Sequence, residues 1–100
     1  MSDDNSIPDG TIPVGDVEYW AALGNLKQTE NAIRGGADVN AVSAGNHSAL
    51  HAAATNGHVD VVELLLANGA NPADRLATGE TAADLAKLAG FDALAQRLSQ

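Results

Sequence analysis

The sequence predicts an all-α solenoid of stacked helix–turn–helix units joined by projecting, β-hairpin-like loops. Three observations carry that expectation. The chain matches itself at a shift of 33 residues. Glycines and apolar residues hold the same columns of that repeat. Alanine is the commonest residue, and small side chains let helices approach closely.

The register is read directly. Gly36-Ala37-Asp38 falls on Gly69-Ala70-Asn71, Ser48-Ala49 on Thr81-Ala82, and Ala53 on Ala86. Gly24, Gly57 and Gly90 share one column; Val17, Leu50 and Ala83 share another, and Ala32, Leu65 and Leu98 a third. The second unit displays the plan most clearly. Ser48 stands before Ala49–Asn56, where a hydroxyl caps a helix start. Gly57 supplies a left-handed stop. A second helix follows from about Val59 to Asn68, with Val62, Leu65 and Leu66 on one stripe. Asp60 and Glu63 sit early in it, where the helix dipole favours acids. Gly69 ends it, and the polar stretch Ala70 to Gly79, bearing Gly and Pro, reads as a turn or hairpin loop. Two short helices cannot bury their apolar faces alone, whereas stacked neighbours can, and about three units are the minimum.

These residues resemble a known family. Ser48-Ala49-Leu50-His51-Ala52-Ala53-Ala54, Asn56-Gly57-His58, Val61-Val62-Glu63-Leu64-Leu65-Leu66 and Asn68-Gly69-Ala70-Asn71 are similar to the ankyrin repeat, as is Gly36-Ala37-Asp38-Val39-Asn40-Ala41. The resemblance runs over about residues 12 to 100. It divides the chain into an N-terminal segment, 1–11, loosely docked or disordered, and a repeat domain, 12–100. The units fall at about 12–44, 45–77 and 78–100. The first lacks the family's Thr-Pro-Leu-His start and has Asp16-Val17-Glu18-Tyr19-Trp20; the third has Asp84 where the family histidine would stand. Terminal units of stacked folds are atypical because one side lacks a neighbour. The expectation is one N-cap, one internal repeat and one C-cap, with Gln96 and Arg97 on the solvent face.

Composition narrows the function. There are no cysteines, hence no disulfide framework and no thiolate metal site, which fits a cytoplasmic protein. The N-terminus has no basic segment followed by an apolar run, so it reads as no secretory signal. No apolar stretch approaches the roughly 20 residues of a membrane helix. Thirteen acids against five bases give a formal charge of −8. That speaks against nucleic-acid binding, which needs a basic face. It favours solubility and could steer a basic partner.

His47, His51 and His58 lie within 12 residues, but a metal site needs convergent ligands. The resemblance implies that His51 hydrogen-bonds loop backbone and that His58 begins the second helix. No metal or other cofactor is expected. No nucleophile–base–orienter set and no phosphate loop are visible, so no enzyme activity is expected. Trp20 has two readings: burial beneath an N-terminal lid carrying Ile12 or Val14, or an exposed anchor for a partner.

The resemblance implies a concave binding face of loop tips and first helices. Carried onto this chain it takes Leu23 beside Ala22, Val42, Ala44, His47, Thr55, Asn56, Arg75, Ala77, Glu80, Leu88 and Ala89. Val42, Leu76 and Leu88 would form an apolar strip if exposed together. The expected function is a protein–protein interaction module, an adaptor or inhibitor for one modest protein or peptide. The alternative is a structural, self-associating homodimer element, with a monomer expected ahead of a dimer. A metal-sensing domain is a third reading.

Overall fold

A computed structural model describes residues 17–99. It contains six α-helices, α1 (Val17–Leu23), α2 (Leu26–Arg34), α3 (Ala49–Thr55), α4 (Val59–Ala67), α5 (Ala82–Leu88) and α6 (Asp92–Leu98), with a 3-10 turn at Ala44–Asn46. No strand occurs among the described residues; isolated antiparallel bridges, Val42 with Ser48 and Arg75 with Thr81, close the bases of two hairpin loops. The first helices α1, α3 and α5 pack side by side as an inner layer, each with its partner α2, α4 or α6 behind it. The proposed N-terminal lid, with Ile12 and Val14, and the expected disorder near the N-terminus lie outside the described residues.

Alanine makes the inner layer possible. Ala21, Ala53, Ala54 and Ala86 are fully buried between helices. The outer layer supplies larger groups: Val61, Val62 and Leu65 are fully buried, and Leu94 and Leu98 nearly so. Trp20 is half-buried and packs against this core, with its ring edge-to-face on Tyr19 at 4.9 Å.

Helix starts follow the sequence closely. The Ser48 hydroxyl accepts from the His51 backbone N–H, and Thr81 accepts from that of Asp84. In each case the side chain three residues on answers the cap residue's own N–H, a capping box. The starts of the outer helices are less uniform. Asn25 caps α2 by accepting from the Gln28 N–H. His58 and Phe91, in the same column, make no side-chain cap. Their rings instead lie over the glycine of the preceding unit. A Cβ on Gly24 would stand 2.5 Å from the His58 ring, and one on Gly57 would stand 2.6 Å from the Phe91 ring. Both glycines have φ of +73°, so the left-handed bend and the ring contact each require the missing side chain.

Polar contacts stitch the units further. Asn56 Nδ2 donates to the Ala22 carbonyl at 3.0 Å, and His58 Nε2 lies 3.2 Å from the same oxygen. Asn40 joins two loops by donating to the Gly69 carbonyl and accepting from the Asn71 N–H. Gln96 and Arg97 are exposed, as expected, and Arg97 also makes a contact between units. Its guanidinium reaches back to Glu63 with two bonds of 2.7 and 2.8 Å. Both side chains remain almost half exposed, so solvent screens the pair. Arg97→Ala is expected to lower stability by less than about 1 kcal/mol, read as a small shift of the urea midpoint that salt diminishes.

Candidate functional site

The candidate residues fall into two groups on the inner side of the stack. Val42, Ala44, Arg75 and Ala77 lie on the two hairpin loops and are exposed. Leu23, Thr55, Asn56, Leu88 and Ala89 lie at the ends of α1, α3 and α5 and are exposed too. Val42 is 53% exposed, Leu23 57% and Leu88 77%. Leu76 is a correction to the apolar strip. The hairpin alternates like a strand, with Arg75 and Ala77 exposed and Leu76 half-buried between them.

The loops are internally braced. Ser43 N–H donates to the His47 carbonyl and Leu76 N–H to the Glu80 carbonyl, both at 2.8 Å. The Ala77 N–H donates to the Gly45 carbonyl, tying the second tip to the first. Gly45 and Asn46 turn the first tip with φ of +75° and +63°; asparagine tolerates that region better than most residues. The Arg75 guanidinium donates to the Gly79 carbonyl at 2.7 Å, and the Thr78 hydroxyl donates to Glu80.

His47, expected on the binding face, sits at the base of the first loop against α1. It is half-buried, and its Nδ1 lies 2.5 Å from Glu18 Oε2 on α1. The Ser43 hydroxyl donates to the same carboxylate oxygen at 3.2 Å. This link across 29 positions had no signal in the sequence beyond the compatible chemistry of the two side chains.

His51 is structural. Its Nδ1 accepts from the Ser48 N–H at 3.2 Å and lies 2.7 Å from the Ser48 hydroxyl. Its Nε2 lies 3.1 Å from the Asp74 carbonyl. A carbonyl only accepts, so this network places the proton on Nε2 and keeps the ring neutral. Burial is the main influence that lowers its pKa below the ordinary 6.5, with the Asp74 carbonyl opposing it. The folded state therefore binds this proton less readily than the unfolded chain does. Stability from this source is full above about pH 6.5 and falls as the pH drops from there toward the depressed folded value. Between pH 7.5 and 5.5 the wild type is expected to lose urea resistance, and His51→Gln is expected to flatten that slope.

The three histidines do not converge on a common point: His47 faces Glu18, His51 the Asp74 carbonyl and His58 the Ala22 carbonyl. Among the described residues no group of three or more His, Cys, Asp or Glu side chains could hold a metal ion. No helix among them is long and apolar enough to cross a membrane. An open depression of about 450 Å³ on the third unit, and one of about 310 Å³ between that unit and Pro72 and Ala73 of the second, include none of the candidate residues.

Stacked helical hairpins with braced loops and the recurring Gly-Ala-Asp/Asn turn define a class of repeat protein. Residues 18–99 match the ankyrin repeats, in three copies, and the chain belongs to that family. Its members are generally protein–protein interaction modules and typically non-enzymatic. The chain is also similar to the E3 ubiquitin-protein ligase hecd-1 of Caenorhabditis elegans, with 44% identity over 69 residues. That stretch is 68% of this chain and 2% of the ligase, so the likeness lies between repeats.

Proposed function

We propose that the chain is a binding module that holds one modest protein or peptide, as an adaptor or inhibitor, through its loop tips and the exposed side of its inner helices. The working unit is the repeat domain, 12–100, divided at about 44 and 77, and the proposed setting is the cytoplasm. The observation that carries the reading is the exposure of Leu23, Val42 and Leu88 on the inner helices and first loop. Large apolar side chains left in water on a braced surface mark interaction sites when they recur along one face. The bracing matters as well, because loops already ordered lose little freedom on binding. A standard interface buries about 800 Å² on each partner, which three units can supply only by using most of this face.

The experiment is capture of partners from host lysate by tagged protein. One variant changes Leu23, Val42 and Leu88 to serine, which touches no hydrogen bond described above. A control variant changes Leu26 and Val59, exposed on the outer helices, to serine. A protein retained by wild type and control but lost from the first variant supports the proposal. Loss from the control alone moves the site to the outer helices and overturns it. Absence of any partner, with size rising with concentration in light scattering, favours a self-associating element instead.

A further inference from the structure

Four polar groups around the proposed binding face, Thr55, Asn56, His47 and Glu80, share a hydrogen-bond polarity. The Thr55 hydroxyl donates to the His51 carbonyl at 2.8 Å, and Asn56 Nδ2 donates to the Ala22 carbonyl at 3.0 Å. His47 Nδ1 faces a carboxylate, which only accepts. In the neutral imidazole Nδ1 therefore carries the hydrogen, and Nε2 keeps a free lone pair. Glu80 accepts from Thr78 and offers its remaining lone pairs. The Thr55 and Thr78 hydroxyls and His47 Nδ1 are thus engaged internally, while acceptors remain: the Thr55 hydroxyl oxygen, Asn56 Oδ1, His47 Nε2 and Glu80. Even Arg75, the cation on these loops, turns Nη1 back onto Gly79.

His47 and Glu80 stand in the same column of the 33-residue repeat, at the bases of successive loops. Each backbone carbonyl closes its hairpin in the same way. The two side chains therefore project from equivalent places on neighbouring units. Glu18 adds its negative charge behind His47, and the chain as a whole carries −8.

Resting on the binding-face reading above, we propose that this face recognises an arginine-bearing segment of its partner, with the guanidinium received at the loop bases by His47 Nε2 and Glu80. A guanidinium brings several N–H donors in a planar fork and accepts nothing. It complements the acceptors that these groups leave open. Its aliphatic stem and flanking apolar residues suit the exposed Val42, Leu23 and Leu88. The orientation imposed on His47 by Glu18 resembles the way a carboxylate fixes a histidine for a ligand on its other nitrogen, here for a donor from outside.

The test uses three synthetic octapeptides that alternate leucine with arginine, citrulline or glutamate. Each is titrated into isotope-labelled full chain and followed by NMR. The arginine peptide is expected to shift the signals of His47, Thr55, Asn56 and Glu80. Glu18→Gln combined with Glu80→Gln is expected to weaken binding about tenfold, the equivalent of one charge-assisted hydrogen bond. Glu80→Gln alone gives a smaller loss and guards against misfolding of the double variant. Equal binding of the citrulline or glutamate peptide at the inner face overturns the arginine inference and leaves the binding-face reading standing. Binding of all three on the outer helices overturns both. No binding by the arginine peptide overturns the inference, while the lysate experiment still judges the face.

Discussion

Shortening Leu65 to alanine is expected to lower the unfolding free energy by about 2–5 kcal/mol. Leu65 is fully buried in α4, the outer helix of the middle unit. Its removal takes apolar surface out of the core and leaves a void that rigid neighbours fill only in part. Folded domains of this size are held by about 5–15 kcal/mol, so the variant gives up a large share. Leu98→Ala, the same change in the same column, is expected to cost less. That leucine retains slight exposure and lies in the last described helix, where the surroundings can collapse more readily. Urea titration of both variants by circular dichroism checks the ordering, and an unchanged transition slope would confirm that only stability has altered.

Gly57→Ala is the second large effect. Two separate costs meet at this position. A left-handed backbone costs a side-chain-bearing residue about 1–2 kcal/mol. The new methyl would also stand 2.6 Å from the Phe91 ring, and such overpacking costs about 1–3 kcal/mol. Gly90 separates the two. Its φ is +91° and nothing lies within 4 Å of its virtual Cβ, so Gly90→Ala carries the backbone cost alone. A double-mutant cycle makes the comparison sharper. Phe91→Ala is destabilising by itself, yet in the Gly57→Ala background it relieves the clash, so the pair is expected to cost less than the sum of the two singles. Strict additivity would mean that ring and glycine are not coupled.

Much of this architecture was readable from the residues because the repeat makes each unit a check on the others. Gly24, Gly57 and Gly90 foretold three left-handed bends, and all have positive φ. Ser48 was expected to cap a helix, and it does; Thr81, its counterpart, does the same. His51 was expected to bond loop backbone and reaches the Asp74 carbonyl. What escaped were contacts whose partners do not share a column. Glu18 meets His47 across 29 positions, and Arg97 meets Glu63 across 34. Each is set by the lateral offset between stacked units, which no single repeat displays. The rings over Gly24 and Gly57 also span 34 positions, one more than the repeat. That near-coincidence was available in the sequence, but only the packing of one unit on the next, α1 on α3 and α3 on α5, reveals its purpose. Of the proposed binding face, the exposed aliphatics were anticipated, whereas its hydrogen-bond polarity depends on which donors the fold occupies internally.

The ring-over-glycine contact also gives the stack a direction of growth. At each such junction the later unit brings the ring and the earlier unit brings the bare glycine. The middle unit holds both halves, since its His58 covers Gly24 and its Gly57 is covered by Phe91. A tandem duplication of residues 45–77 would therefore place the second His58 over the first Gly57, and Phe91 over the second. Both original junctions would persist and the new one would have the chemistry of the first. Exchanging the order of the units would instead bring Asn25 against a glycine that a ring now shelters. The chain is built to lengthen from its centre, and to resist being shuffled.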